Sequence, residues 1–174
     1  RYFLAEKEGK IVGRVAAIIN WQEVNNQQKR KMRFGWFDMI DDIDVTKALL
    51  AKVAEIGKEN QLEYIEGPVG FSNLEKAGLL TFGFDKLATM VGLYNFPYYA
   101  QHLESLGFET ANEWVEYELP APTELPEKVI KFNKIIRERY KLRELKFTKT
   151  SEIIPYVDEM FDLLDKTYSE LDTY

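Results

Sequence analysis

The chain has 174 residues, 45% of them apolar and 14% aromatic, with a formal net charge of −6 and no cysteine. That length and apolar content fit a globular protein with a real core and exclude general disorder. The absence of cysteine excludes disulfides, thiolate metal sites and a cysteine nucleophile, and the acidic balance disfavours general binding of nucleic acid or anionic membrane.

Residues Tyr2 to Ala5 read as a strand and Glu6 to Lys10 as a polar hairpin turn, with Gly9 able to take positive φ. Ile11 to Ile19 reads as a second strand, broken or bulged at Gly13. Asn20 to Lys31 reads as a polar connection reversing at Asn25-Asn26. Its basic run Lys29, Arg30, Lys31, with Arg33, reads as a solvated hairpin tip.

Arg33 to Met39 is rich in aromatics and suits a third strand, which completes an antiparallel meander. Asp41, Asp42 and Asp44 favour a turn and a helix N-cap rather than a chelated cation. Val45, Leu49, Leu50, Val53, Ala54 and Ile56 recur at helical spacing. Leu62, Tyr64 and Ile65 form a further short strand stopped by Gly67-Pro68. Two strands joined by one helix predict a parallel crossover, with a ligand at the helix N-terminus.

Gly67 to Gly92 is glycine-rich yet carries Phe71, Leu79, Leu80, Phe82 and Phe84, so it reads as a loop folded over a core or carrying function. Tyr98 to Leu106 reads as a helix ended by Gly107, and Thr110 to Leu119 as a final alternating strand. Pro120, Pro122 and Pro126 mark a linker over 120–126. Beyond it Glu127 to Tyr140 is an amphipathic helix, Leu142 to Phe147 a short strand, and Ile153 to Leu171 a helix capped by Ser151. No apolar run approaches a membrane span, and no secretory signal opens the chain, which points to a cytoplasmic setting. The chain begins without Met on a strand-like segment and stops just after an apolar helix, which reads as a piece of a longer protein.

The order of meander, crossover helix, strand, helix, Leu106-Gly107-Phe108 turn and strand resembles the GNAT superfamily of acyl-CoA-dependent N-acyltransferases. Phe3 to Ala16, with its Glu8-Gly9-Lys10 and Ile11-Val12-Gly13 phrases, is similar to the family's second and third strands. More narrowly the chain is similar to a little-characterised bacterial GNAT-like group, through Phe34 to Phe37, Asp41-Asp42, Gly67-Pro68, Ser72-Asn73, Gly78 to Leu80, Gly83 to Asp85 and Tyr98-Tyr99.

The resemblance covers roughly residues 1–119 and implies an α/β domain of mixed sheet lacking the family's first strand and helices. Residues 127–174 look like the start of a second, tandem unit or the missing first strand of the first. It implies transfer of an acyl group from acetyl-CoA or another acyl-CoA to a small-molecule amine, with no metal. It also implies acyl-CoA contacts at Phe37, Asp38, Met39, Ile40 and Asp42.

The family's phosphate loop reads Gln/Arg-x-x-Gly-x-Gly/Ala, whereas residues 39–44 read MIDDID, with three carboxylates and neither glycine nor a basic residue. Either CoA binds differently here or this unit does not bind it. The family's tyrosine acid falls at Leu103, and Tyr99 lies one turn away on roughly the same face. Glu66, at the end of the parallel strand, stands where a general base would reach an amine. Ser72, Asn73, Tyr94 and Asn95 are the expected substrate contacts. His102, the only histidine, reads as a helix-end residue. The alternatives are a non-catalytic GNAT-like scaffold or ligand-binding half, and a Fem-like aminoacyl transferase. A homodimer or an intramolecular second GNAT-like unit stand as alternative protein partners.

Overall fold

The computed structural model describes residues 1–72, 75–90, 92–168 and 171. They divide into two compact units, one within Arg1–Glu113 and the other within Trp114–Ser169. The division falls ahead of the Pro-rich stretch, where the sequence places the linker.

The first unit is a four-stranded mixed sheet in the order β1 (Tyr2–Lys7), β2 (Lys10–Ile18), β3 (Lys31–Met39), β4 (Tyr64–Glu66). Strands β1 and β2 pair antiparallel across a two-residue turn in which Glu8 and Gly9 have φ 52° and 76°. Two positive-φ residues match the right-handed twist of the flanking strands. Strand β3 pairs antiparallel with β2 and parallel with β4. The predicted crossover is present: helix α2 (Ile43–Glu59) joins β3 to β4 and buries Val45, Leu49, Leu50, Val53 and Ile56 against Val15, Ala17, Met32 and Phe34.

A bulge interrupts β3. Arg14 pairs with Asp38 and Ala16 with Gly35, so Trp36 and Phe37 together face Val15. Trp36 holds φ 44°, a left-handed conformation that a bulky residue adopts only under constraint. Just before it, a Cβ on Gly35 would come within 2.5 Å of the Val69 carbonyl oxygen. Glycine there lets the chain leaving β4 lie close, and Val69 N–H donates to the Phe34 carbonyl at 2.7 Å.

Three sequence expectations are corrected at once. Asn20 to Lys31 is no simple reversal, because helix α1 (Trp21–Asn26) forms there, capped by the Asn20 side chain accepting from Glu23 N at 3.3 Å. The basic run is solvated only in its first half: Lys29 is half-buried and Arg30 exposed, whereas Lys31 and Arg33 are buried. Residues 110–119 are irregular, and Trp114, Val115 and Tyr117 stay exposed. Helix α3 (Tyr98–Ser105) does end as expected, with Gly107 at φ 85°.

In the second unit α4 (Glu127–Arg139) agrees with the expected helix, whereas residues 142–147 form no strand. The last expected helix also starts late. Two 3-10 turns, Thr150–Glu152 and Ile154–Tyr156, precede α5 (Val157–Tyr168). Pro155 explains the delay, since it lacks an N–H and disfavours α geometry in the residue before it. No helix among the described residues is long and apolar enough to cross a membrane.

Candidate functional site

Strand β4 pairs with β3 only from Lys31 to Arg33. Ile40 N–H donates to Val12 O at 3.0 Å. Alternation along the strand therefore turns the N–H and C=O of Met39 away from β2, toward the edge that β4 no longer covers. Two tyrosines of α3 take those groups. Tyr98 Oη donates to Met39 O at 2.8 Å, and Met39 N–H donates to Tyr99 Oη at 3.4 Å. Burial pushes the Tyr99 phenol up, the Met39 N–H pulls it partly back, and the Asp38 charge adds to the rise. Tyr98 is also pushed up, first by burial and then by the Asp41 charge.

The start of α2 adjoins this edge. Asp42 caps the helix, its side chain accepting from Asp44 N at 3.0 Å, and its other oxygen meets Lys7 Nζ at 2.7 Å. The Lys7 ammonium, with backbone N–H groups, holds the Asp42 carboxyl below its usual range. His102 ties α3 to the same place: its Nδ1 lies 2.8 Å from Thr46 Oγ1 and its Nε2 lies 3.1 Å from Asp41 Oδ1. His102 thus lies in the last turn of α3, as expected, but as a buried clamp rather than a surface residue. The hint in the sequence was its spacing, since residues 98, 99 and 102 share one face of α3.

The expected cofactor residues divide. Met39, Ile40 and Asp42 stand at the open end of β3, with Ile40 exposed. Asp38 is exposed too, and its carboxylate pairs with Arg14 Nε at 2.6 Å. Phe37 packs in the core, edge-on to Phe34 and Tyr99. Of the expected substrate residues, Tyr94 presents a half-exposed ring, whereas Asn95 is buried and bonds backbone groups of Leu80 and Phe96. The Ser72 carbonyl accepts from Glu75 N at 3.2 Å, and Asn73 lies outside the described residues.

Glu66 is not brought to the tyrosines. It pairs in register with Arg33, six residues before Met39. At the rise of a strand that is about 20 Å. There its carboxylate meets Lys31 Nζ at 2.6 Å. Lys31 also meets Glu23 Oε1 at 2.7 Å, and Arg33 Nη2 meets Glu23 Oε2 at 2.9 Å. Arg33 Nη1 donates to the carbonyls of Gly70 at 3.2 Å and Phe71 at 2.6 Å. Sequence reasoning missed this cluster. The available signal was period two: Lys31 and Arg33 fall on one face of a strand and need a carboxylate if that face is covered. Among the described residues no group of three or more His, Asp or Glu is arranged to hold a metal ion.

No protein-family model matches this chain, and no solved structure matches it. Among curated proteins it is similar to Protein YghO of Escherichia coli (strain K12), at 34% identity over 106 residues. That match covers 61% of this chain and 27% of the relative, so the chain accounts for only part of that protein's length.

Proposed function

We propose that residues 1–113 form a GNAT-like unit that transfers an acyl group from a thioester to a small-molecule amine in the cytoplasm. The observation that carries this reading is the pair of tyrosyl hydroxyls on Met39, at a strand end that its parallel neighbour leaves open beside the crossover helix. The order of meander, crossover helix, parallel strand and helix supports the same family likeness.

In the proposed reaction the amine nitrogen attacks the thioester carbonyl carbon. The C–N bond forms and the C–S bond breaks. The leaving thiolate takes its proton from Tyr99, with Tyr98 beside it. The raised phenol values keep both hydroxyls protonated at neutral pH, and make the donation to sulfur depend on the charge that develops there. The proton of the amine passes to water, and water returns a proton to the Tyr99 phenolate. Glu66, paired with Lys31 and about 20 Å along the strand, takes no part in this reaction.

A second reading, a non-catalytic half of a larger protein, is favoured by the Asp42–Lys7 pair. An internal carboxylate already occupies the helix terminus where a pyrophosphate would otherwise find N–H groups and the positive end of the helix dipole. Calorimetric titration with acetyl-CoA and with acetyl-pantetheine separates the two. Micromolar binding of either thioester supports acyl transfer, and binding of acetyl-pantetheine alone assigns the loss to the pyrophosphate. No binding of either at millimolar concentration overturns acyl transfer and leaves the non-catalytic half.

A further inference from the structure

A row of aromatic rings leads away from the tyrosine pair. Tyr94 and Phe96 stand two residues apart in the irregular segment before α3. Phe96 stacks on Tyr98 at 5.7 Å with 8° between the planes, and Tyr94 meets Phe96 edge-on at 5.9 Å. Phe84 continues the row at 6.3 Å from Tyr94.

The segment is held rigidly from behind. Asn95, only 4% exposed, accepts from Leu80 N at 2.6 Å and donates to Leu80 O at 3.1 Å and to Phe96 O at 3.0 Å. The fold therefore spends a buried amide on keeping Tyr94 and Phe96 54% and 55% exposed. Aromatic rings fixed in solvent invite a ligand that uses their faces.

The charges beside the row select that ligand. Lys7 and Arg14 are matched by Asp42 and Asp38. Asp41, its side chain 69% exposed, shares one oxygen with the His102 ring. A carboxylate beside negative ring faces repels anions and attracts cations.

We propose that Tyr94, Phe96 and Tyr98, with Asp41, form a binding site for an apolar organic cation, an alkyl- or arylammonium group. The cation lies against the exposed part of the Phe96 ring, which the stacked Tyr98 ring backs, with its apolar part along Tyr94 and its charge toward Asp41. Taken with the acyl-transfer reading, on which this last step alone rests, the row is the acceptor site and admits a protonated amine that loses its proton to water on reaching the thioester.

The test uses benzyltrimethylammonium, which has no N–H and so binds without being acylated. Benzyl alcohol serves as a neutral probe and phenylacetate as an anion. Titration at low salt is followed by calorimetry and by the ring-proton resonances of Tyr94, Phe96 and Tyr98. The expected result is saturable binding of the cation, at least about 5-fold weaker binding of the alcohol, and none of the anion. Phe96→Leu keeps apolar bulk without a ring and weakens the cation by about 2- to 5-fold. Equal binding of cation and alcohol, unchanged affinity in Phe96→Leu, or no saturable binding at millimolar probe overturns the proposal. Because the probe cannot react, failure of acyl transfer with thioesters leaves this result standing, and the converse also holds.

Discussion

The two ends of β3 handle polar groups in opposite ways. At Lys31 and Arg33 the strand carries two cations into the interior, against the buried carboxylate of Glu23 and the flank of Glu66. At Met39 the strand offers backbone groups at an open edge, and neutral tyrosyl hydroxyls satisfy them. The closed end fixes the fold, because burial makes each charge dependent on its partner. The open end satisfies its groups with weaker, neutral bonds that a ligand can replace. A single strand thus carries both arrangements, and the bulge at Trp36 and Phe37 lies between the two.

The largest expected effect breaks the closed end. Glu23→Gln removes the charge that faces both Lys31 and Arg33, and Arg33 is fully buried. Breaking a buried ion pair in this way costs about 3–5 kcal/mol. Urea unfolding should show that loss as a lower midpoint at unchanged slope. The double change Glu23→Leu with Arg33→Met should recover most of it, since paired removal leaves no orphan charge at that contact. A single-variant cost below about 1 kcal/mol would mean that water reaches the cluster and that the closed end resembles a surface pair.

The next effect is at the open end. Tyr98→Phe deletes the donor to Met39 O and should cost about 1 kcal/mol, a typical net hydrogen bond. Tyr99→Phe should cost no more, since its bond to Met39 N–H is longer, at 3.4 Å. On acyl transfer the order reverses. Tyr99→Phe should lower turnover by about 100-fold or more with little change in KM, because a general acid acts in the transition state. Equal loss in both variants would assign the proton to the pair.

The alkaline side joins both ends. The folded values of Tyr98 and Tyr99 are raised, first by burial. Lys31 is raised as well: burial, the largest single influence, pulls it down, and the hydrogen bonds and charges of Glu23 and Glu66 together overturn that. For all three the unfolded chain loses its proton first as pH climbs. Their contribution is therefore complete below the unfolded values, about 10 for both residue types, and is lost as pH rises through the folded ones. Unfolding midpoints should fall steeply above about pH 10 and less steeply in the Tyr98→Phe, Tyr99→Phe double variant.

The frame was readable in the sequence because it obeys periodic rules. The Glu8-Gly9 turn, the α2 face from Val45 to Ile56 and the Gly107 terminus each follow from local chemistry. Misreadings came where tertiary contacts overrode local signals. Lys31 and Arg33 look solvent-loving until α1 brings Glu23 over them, and α1 itself was hidden in a polar run. Residues 110–119 alternate like a strand but are irregular, because alternation alone supplies no partner strand for their backbone groups. At the candidate site the sequence pointed to the Tyr99 helix and the acidic turn. It did not show that Glu66 lies at the opposite end of β3, because position along a strand follows from register, which the crossover sets.

The smallest expected effect concerns the acidic turn, where the two ends of β3 come nearest to behaving alike. Lys7 and Asp42 form an ion pair at the surface, so Lys7→Met should change stability little at neutral pH. Its sign is still definite. The Asp42 carboxyl is held low by Lys7, so its contribution is present above the unfolded value and is lost as pH falls through the folded one. The unfolding midpoints of wild type and Lys7→Met should therefore differ slightly at pH 7 and converge on acidification below about pH 3. The same variant bears on binding. With Lys7 gone, Asp42 still caps α2 through Asp44 N but faces any incoming phosphate unneutralised. CoA affinity, if present in wild type, should fall in Lys7→Met and rise in Asp42→Ser, which keeps a cap without the charge. An unchanged affinity in both would move the thioester's phosphates away from the helix terminus and leave the open edge at Met39 as the point of contact.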